Sequence, residues 1–352
     1  SRGLALRALV GRRQASVSAT DLSPAALKAL SERVVAMAKL APEDKYCGLA
    51  EASEITKDHP DLQLDSDDKP EADELERRGR IMEEAAMAVP GVKQMSHAGA
   101  SWGTSKSWVA ASNGFAAHKT SGYSSMAAVA IAERDGAMER DFESSSERLL
   151  AKHKSPEWIG AEAGRRAASR LGARKLDSQT APVIFDKRLS NRLLGAFIGA
   201  ISGPAIARGV SFLKDKMEKP VFAAGVDVVD DPLRLGGFGS RGFDGEGRPV
   251  KRTALVKDGV LTQWLLNGPA ARQLGLTPNG FASMGFGDPP GVTTSNLDIL
   301  AGKRSFEELM KDAGNGLLVT DMFGPSLNPN TGDYSVGVSG FWFENGERAY
   351  PV

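Results

Sequence analysis

A glycine-rich stretch in the second half of the chain is the first candidate for chemistry. Residues 237–242 read Gly-Phe-Gly-Ser-Arg-Gly, and this G-x-G-x-x-G spacing is typical of a turn that holds a pyrophosphate at the amino end of a helix. Two further glycines and a proline follow at 245–249, and they oppose a helix there. The sequence therefore predicts a loop that leads into a hairpin at Asp258-Gly259, and not a nucleotide site.

The histidines do not form a local metal motif. The four are His59, His97, His118 and His153. None lies three or four residues from another, as the ligand pair of an H-E-x-x-H zinc helix would. We expect them to be surface or loop residues, although a site assembled from distant residues stays open.

Nucleophiles and paired carboxylates are equally weak signals. Cys47 is the only cysteine, so an internal disulfide is excluded, and its expected role is that of a small buried apolar residue. Residues 337–340, Gly-Val-Ser-Gly, lack the final spacing of a G-x-S-x-G turn and lie in a strand-like run. Asp230 and Asp231 are expected to be solvated loop carboxylates. An independent hydrolase that uses Cys47 or a serine has no support beyond the presence of these residues.

The composition is that of a globular protein. The chain has 352 residues, 41% of them hydrophobic and 25% charged, enough for two or three domains. Its 44 basic and 44 acidic residues give a formal charge of zero, which argues against nucleic acid and anionic membranes as partners. The sequence has neither a signal peptide nor an apolar run of about 20 residues. We therefore expect a cytoplasmic location, and both ends are expected to be truncated.

The pattern of elements predicts an α+β protein. An amino-terminal α/β domain is expected at 1–60, with two strands around Gly11-Arg12 and a helix from Pro24. A central domain of helices and an antiparallel meander is expected at 71–178. Its predicted elements are helices at 71–89 and 157–171 and strands at 98–109, 115–123, 126–133 and 137–144.

The remaining residues, 181–352, predict a β-rich domain. It is expected to be a large curved sheet or open barrel that encloses one apolar helix at 189–202. Strands are predicted at 317–323 and on both sides of the Asn345-Gly346 turn.

Several long stretches resemble the PmbA/TldE branch of the TldD/PmbA proteins. They are RGLALRALVGRRQASVSATDLSP at 2–24, FLKDKMEKPVFAAGVDVVDDPLRLGGFGSRGFDGEGRPVKRTALVKDGVLTQWLLN at 212–267, PPGVTTSNLDILAG at 289–302 and MFGPSLNPNTGDYSVGVSGFWFENGE at 322–347. The resemblance implies a subunit of a cytoplasmic TldD/TldE metalloprotease that trims unfolded peptides and leader peptides. It also implies an alternative function, that of a non-enzymatic regulatory or binding protein that modulates DNA gyrase.

The resemblance bears on zinc through one helix. TldD holds its zinc on a helix with an H-E-x-x-x-H pattern. The matching stretch here, LLGAFIGAIS, has Gly195, Ala196 and Ala200 in place of His, Glu and His. These residues offer neither a lone pair for zinc nor a carboxylate to activate water. The resemblance therefore implies that this chain has no catalytic or metal-binding residues, and that zinc is bound by a TldD-like partner.

The same resemblance places the glycine-rich loop near the central cavity and the subunit interface. Gly237, Gly239, Arg241 and Gly242 are candidates for a peptide groove or an interface. Trp342, with its neighbours at 341 and 343, is a candidate interface anchor. The expected partners are a TldD-like subunit in a heterodimer, or a second copy when the chain is isolated, together with unfolded peptide substrates.

Overall fold

The amino-terminal unit is a hairpin covered by one helix. The computed structural model describes residues 2–66, 69–283 and 285–352. Strands β1 (Leu4–Val10) and β2 (Arg13–Ala19) pair antiparallel, and α1 (Pro24–Leu40) packs on them. The Ser23 side chain accepts a hydrogen bond from the Ala26 N–H at 3.4 Å and caps α1, as serine does at helix starts.

The central unit is a three-stranded antiparallel sheet with two helices on it. Its elements are α2 (Ala72–Met87), β3 (Val92–Ala110), β4 (Ala116–Arg134), β5 (Ala137–Glu147) and α3 (Pro156–Ser169). The strand order is β3-β4-β5. Met82 of α2, Met126 of β4 and Ile159 of α3 meet in its core. The two helices lie close together because Gly160 has no side chain: a Cβ there would collide with the backbone of Met82.

One strand of this sheet is longer than the sequence predicted. The predicted strands 115–123 and 126–133 are a single strand, β4, because its pairing with β3 continues through Ser124 and Ser125. Ser124 and Ser125 lie where the sequence predicted a break between two strands. The Ser124 side chain is in fact buried and hydrogen-bonded to His153.

Within the described residues, the carboxy-terminal unit contains two four-stranded sheets, whereas one large curved sheet or open barrel was predicted. The first has the order β10-β7-β8-β9, with β7 (Val228–Asp230), β8 (Thr253–Lys257), β9 (Val260–Leu261) and β10 (Leu297–Ile299). The second has the order β13-β12-β11-β6, with β6 (Val183–Phe185), β11 (Gly316–Leu327), β12 (Tyr334–Glu344) and β13 (Glu347–Pro351). Neither sheet closes into a barrel within the described residues.

The described part of this unit has four α-helices where one was predicted: α4 (Ser190–Ala200), α5 (Gly203–Ala207), α6 (Gly268–Leu274) and α7 (Phe306–Ala313). Helix α4 contacts the cores of both sheets. Its Leu194 and Phe197 belong to the core of the first sheet, whereas Leu193 packs against the Val319 side of the second. Helix α7 covers the other face of the second sheet through Met310.

The two predicted hairpin turns, Asp258-Gly259 and Asn345-Gly346, are confirmed. Both residues of each turn have positive φ, as do Asp135 and Gly136 between β4 and β5; a type I′ turn requires this conformation, and glycine adopts it without strain. No helix of the described part of the chain has the length and apolarity that crossing a bilayer would need.

Candidate functional site

A cavity of about 690 Å³ lies where the central sheet meets the carboxy-terminal unit. Ligand pockets commonly have volumes of about 300–1,000 Å³. Its walls are formed by the segment 59–65, residues of β3 and β4 between 107 and 120, the glycine-rich loop from Phe238 to Gly245, and residues 282–283 and 293–294. The cavity therefore contains Gly239, Arg241 and Gly242 of the predicted groove.

The turn between β3 and β4 is anchored in the carboxy-terminal unit. Phe115 is buried, and its ring packs edge-on against Phe243 with centroids 5.1 Å apart. Gly247, with φ of 84°, is needed here because a Cβ would lie 2.8 Å from the Phe115 ring. This contact fixes one end of the central sheet against the glycine-rich loop.

The irregular segment before α2 forms a wall held by backbone hydrogen bonds. The Gly122 N–H donates to Leu64 O at 2.9 Å, and the Gly236 N–H donates to Leu62 O at 2.8 Å. Both leucine side chains are buried. This segment is therefore fixed to β4 on one side and to the glycine-rich loop on the other.

Arg148, directly after β5, holds this junction together. Its guanidinium donates to Leu64 O and Gly122 O, and across the junction to Gly236 O at 2.9 Å and Gly237 O at 2.8 Å. Arg148 is itself buried, and burial lowers its pKa. A fork of five N–H donors suits this role, which lysine could not fill. The sequence contained no signal for it, because its partners are all backbone carbonyls.

The glycines of the loop allow close contacts within the protein itself. A Cβ at Gly237 would lie 2.5 Å from Ser240 Oγ, and one at Gly239 would collide with the backbone of Ser295. The Gly239 N–H donates to Asn296 Oδ1 at 3.0 Å. The space beside these two glycines is therefore filled by the chain, and no helix follows the loop, as predicted.

Two cations point toward the cavity. Lys119 of β4 donates a hydrogen bond to Ser240 O at 2.9 Å. Arg241 donates to Thr293 O at 3.0 Å, whereas its buried Nε has no hydrogen-bond partner within the described residues. Burial lowers the pKa of Lys119, and the charges of Arg148 and Arg241 lower it further. Sequence analysis named Arg241 but missed Lys119, which looks like an ordinary strand lysine.

Two buried carboxylates support the same loop. Asp244 accepts hydrogen bonds from the N–H groups of Glu246 and Arg248, both at 2.9 Å. Asp230 accepts from the N–H and the hydroxyl of Ser295. Burial raises the pKa of both carboxyl groups, against the opposing effect of these hydrogen bonds. The expectation that Asp230 is a solvated loop residue was wrong: it is 1% exposed and lies in β7.

The histidines lie in different environments. His59 and His118 line the same cavity although they are far apart in sequence, and the His59 ring packs edge-on against Phe243 at 5.4 Å. His97 is exposed. His153 is hydrogen-bonded to the hydroxyls of Ser124 and Ser145. Within residues 2–66, 69–283 and 285–352, no three His, Cys, Asp or Glu side chains are grouped so that they could hold a metal ion.

The three residues of α4 that replace the zinc motif differ in their exposure. Ala200 is buried at 6% exposure, Ala196 is partly buried, and Gly195 is exposed with open space where a side chain would begin. The two alanines are therefore at least partly within the packed face of the helix, whereas Gly195 is not. Leu194 and Phe197 lie on the face of the helix that packs against the core, and the helical repeat places Gly195 outside that face.

The aromatic residues of β12 alternate in their exposure. Phe341 and Phe343 are buried against Met310 of α7, so they are core residues and not interface anchors. Trp342 lies on the opposite face of the strand and is partly exposed. Of the three, only Trp342 remains a candidate interface anchor, and that role stays a prediction.

The remaining candidate nucleophiles have structural surroundings. Cys47 is buried, as predicted, and burial raises the pKa of its thiol. Ser339 lies within β12, and its hydroxyl is hydrogen-bonded to Arg170. Neither residue lines the cavity described above.

Two domain matches show the family of this chain. Residues 60–171 match the PmbA/TldA metallopeptidase central domain, and residues 178–352 match the PmbA/TldA metallopeptidase C-terminal domain. The chain belongs to the PmbA/TldD family.

Relatives cover almost the whole chain. Metalloprotease PmbA of Escherichia coli O157:H7 is 36% identical over 97% of this chain and 74% of its own length. A Metalloprotease PmbA homolog of Haemophilus influenzae is 31% identical over 99% of this chain and 76% of its own length.

Solved structures show the same fold. A proposed modulator of DNA gyrase from Bacteroides thetaiotaomicron is 26% identical and superposes with a TM-score of 0.89, over 99% of this chain and 78% of that one. TldE from Thermococcus kodakarensis superposes with a TM-score of 0.82 at 20% identity, over 98% and 78% of the two chains. The α+β class predicted from the sequence is confirmed.

Proposed function

We propose that this chain is the zinc-free, TldE-like subunit of a two-subunit TldD/TldE peptidase that acts on unfolded peptides and leader peptides. A TldD-like partner binds the zinc and carries out the hydrolysis. The present chain supplies part of the cavity and of the interface. Cytoplasm is the location that we propose for this assembly.

The observation that carries the proposal is the composition of α4. By the resemblance to the TldD/PmbA proteins, Gly195, Ala196 and Ala200 of α4 stand where TldD has its H-E-x-x-x-H motif. Zinc in proteins is bound by Cys, His or carboxylate side chains, and these three residues have none of those groups. No His, Cys, Asp or Glu occurs elsewhere in α4 either. The residues present therefore do not fit a zinc site of the TldD type.

The relative from Escherichia coli is named metalloprotease PmbA. In the two-subunit assembly that we propose, the metal and the hydrolysis belong to the TldD-like partner. A polypeptide without a metal ligand set contributes through shape and binding instead. Here that contribution would be the cavity lined by β3, β4 and the glycine-rich loop, which has both apolar walls and polar backbone groups.

A second candidate function comes from the names of structural relatives. The Bacteroides thetaiotaomicron protein and one from Thermotoga maritima are each described as a proposed modulator of DNA gyrase. The zero net charge of this chain argues against direct contact with DNA. A gyrase-directed role would therefore be a protein–protein interaction, and a peptidase assay would not detect it.

The metal content of the purified chain tests the proposal. After dialysis against metal-free buffer, elemental analysis should find far less than one zinc per chain. A TldD protein with an intact H-E-x-x-x-H helix, purified and dialysed in parallel, is the matched control and should retain zinc. One tightly held zinc per copy of the present chain would contradict the proposal, because it would require a ligand set other than α4.

A further inference from the structure

Two of the side chains that line the cavity are positively charged and have no carboxylate partner within ion-pair distance among the described residues. Both Lys119, from β4, and Arg241, from the glycine-rich loop, line it. Neither forms an ion pair with a carboxylate in the part of the chain that the structure describes. The nearest partners of both are backbone carbonyls: Ser240 O for Lys119, and Thr293 O for Arg241.

Both cations keep unused hydrogen-bond donors. A lysine ammonium has three N–H groups, and one of those of Lys119 is directed at Ser240 O. The Nε of Arg241 is buried and has no hydrogen-bond partner among the described residues. Buried donors are nearly always satisfied in folded proteins, so each exception calls for a ligand or water. The two side chains are neighbours through the protein backbone, because Ser240 directly precedes Arg241.

The acidic residues of the cavity are engaged locally. Asp61 accepts a hydrogen bond from the Gln63 N–H, and Asp65 accepts one from the Ser66 N–H, both at 2.9 Å. Asp244 is occupied by backbone N–H groups of its own loop. These carboxylates do not neutralise the two cations by contact. Their negative charges do disfavour a dianion such as phosphate, and leave a singly charged anion as the better ligand.

We propose that this cavity binds a carboxylate group of a peptide between Lys119 and Arg241, a specificity that rests on the proposed peptidase function. The volume is much larger than one anion needs, and the wall beside the cations includes Phe238, Leu62 and Val109. Those side chains would contact the residues next to the carboxylate. The carboxylate comes either from the carboxy terminus of the peptide or from an acidic side chain near its end.

Binding of matched peptides to the full chain tests this inference. The probe is a short unstructured peptide of Gly, Ser and Ala with an acetylated amino terminus, made as the free acid, as the carboxy-terminal amide, and as the amide with glutamate as its last residue. Isothermal titration should show the free acid, the glutamate amide or both binding about tenfold tighter than the plain amide, the value of one charge-assisted contact. Whichever of the two binds tightly identifies the source of the carboxylate.

Variants separate a specific site from general attraction. Lys119→Met should abolish the preference for a carboxylate, and Lys119→Arg should retain it. Lys106→Met is the matched control: Lys106 is an exposed lysine in β3 outside the cavity, and its loss should leave the preference unchanged. Thermal unfolding of each variant shows that it is folded.

Equal binding of all three peptides, or a carboxylate preference that survives in Lys119→Met, would overturn the inference. Absence of binding by any of the peptides would overturn it too. These results leave the proposed function standing, because that function fails on different measurements: zinc content, and cleavage that does not depend on a TldD-like partner.

Discussion

Lys119 Nζ lies 2.9 Å from the carbonyl oxygen of Ser240, a contact between residues 121 positions apart in the chain. It joins β4 of the central sheet to the glycine-rich loop of the carboxy-terminal unit. Phe115 against Phe243 makes a second contact between the same two units. The cavity exists because both contacts, together with Arg148, fix the loop beside the sheet.

Arg148→Ala should destabilise the protein strongly. The substitution leaves the carbonyl groups of Gly122 and Leu64 without the guanidinium that satisfies them. Hydrogen bonds to charged groups contribute about 1.5–3 kcal/mol each, and they are not additive, so we expect a loss of about 3 kcal/mol in the free energy of unfolding. Urea denaturation measures this loss. Arg140→Ala, an exposed arginine in β5, is the control and should change stability by less than about 0.5 kcal/mol. Equal effects of the two would refute the role assigned to Arg148.

Helix α4 should respond differently at two of its motif positions. Ala200→His forces a larger polar side chain into a packed core and should cost about 2–4 kcal/mol. Gly195→His places the ring in open space and removes a glycine from a helix, so stability should change by less than about 1 kcal/mol.

Thermal unfolding of the two α4 variants measures the difference. The pair, even combined with Ala196→Glu, should not create a peptidase, because the further ligand and the groups that orient the histidines would be missing. A large loss of stability in Gly195→His would show that the helix is packed differently from the structure.

The aromatic residues of β12 should separate stability from association. Phe343→Ala removes a fully buried ring and should cost about 3–5 kcal/mol. Trp342→Ala, at a partly exposed position of the same strand, should cost less than about 3 kcal/mol. If Trp342 is an interface anchor, its loss should weaken binding to the TldD-like partner in a titration. Unchanged binding together with an unchanged thermal midpoint would refute its role in both.

The pH dependence of stability should reflect His153. Burial, and to a lesser degree the charge of Arg78, lowers the pKa of His153 below the usual 6.5. The unfolded chain therefore takes up a proton at this residue before the folded chain does. Stability should fall as the pH decreases from 6.5 toward the lowered value, and the loss is complete below it.

Replacing His153 tests that assignment. Unfolding by urea at several pH values between 8 and 5 should show a smaller slope of stability against pH in His153→Gln than in the parent chain. His97→Gln, at an exposed histidine, is the control. An unaltered slope in His153→Gln would mean that other groups account for the pH dependence.

Local patterns predicted the elements of this fold well. The Asp135-Gly136 and Asp258-Gly259 turns have the positive φ angles that their sequences indicate, and Ser23 caps α1 as predicted. The prediction failed where the fold depends on the pairing of strands that are far apart in the sequence. The second half was expected to hold one large sheet or open barrel, because strand signals do not show which strands pair. Helix α4 packs against the cores of both sheets, and such contacts between distant residues leave no local signal in the sequence.

The candidate site was predictable only in part. Arg241 and the glycines were found because a motif drew attention to the loop. Lys119, His59 and His118 lie on segments that meet only in the folded chain, and no local spacing relates them. The role of Arg148 was invisible for another reason: backbone carbonyls, which every residue has, are its partners.

Cleavage of an unfolded peptide by the chain alone, by a TldD-like partner alone and by their mixture tests the central claim most directly. We expect no cleavage by the present chain alone. The mixture should cleave the peptide, and a chelator should abolish this cleavage because the zinc is bound by the partner. Chelator-sensitive cleavage by the present chain in the absence of any partner would contradict its assignment as a zinc-free subunit.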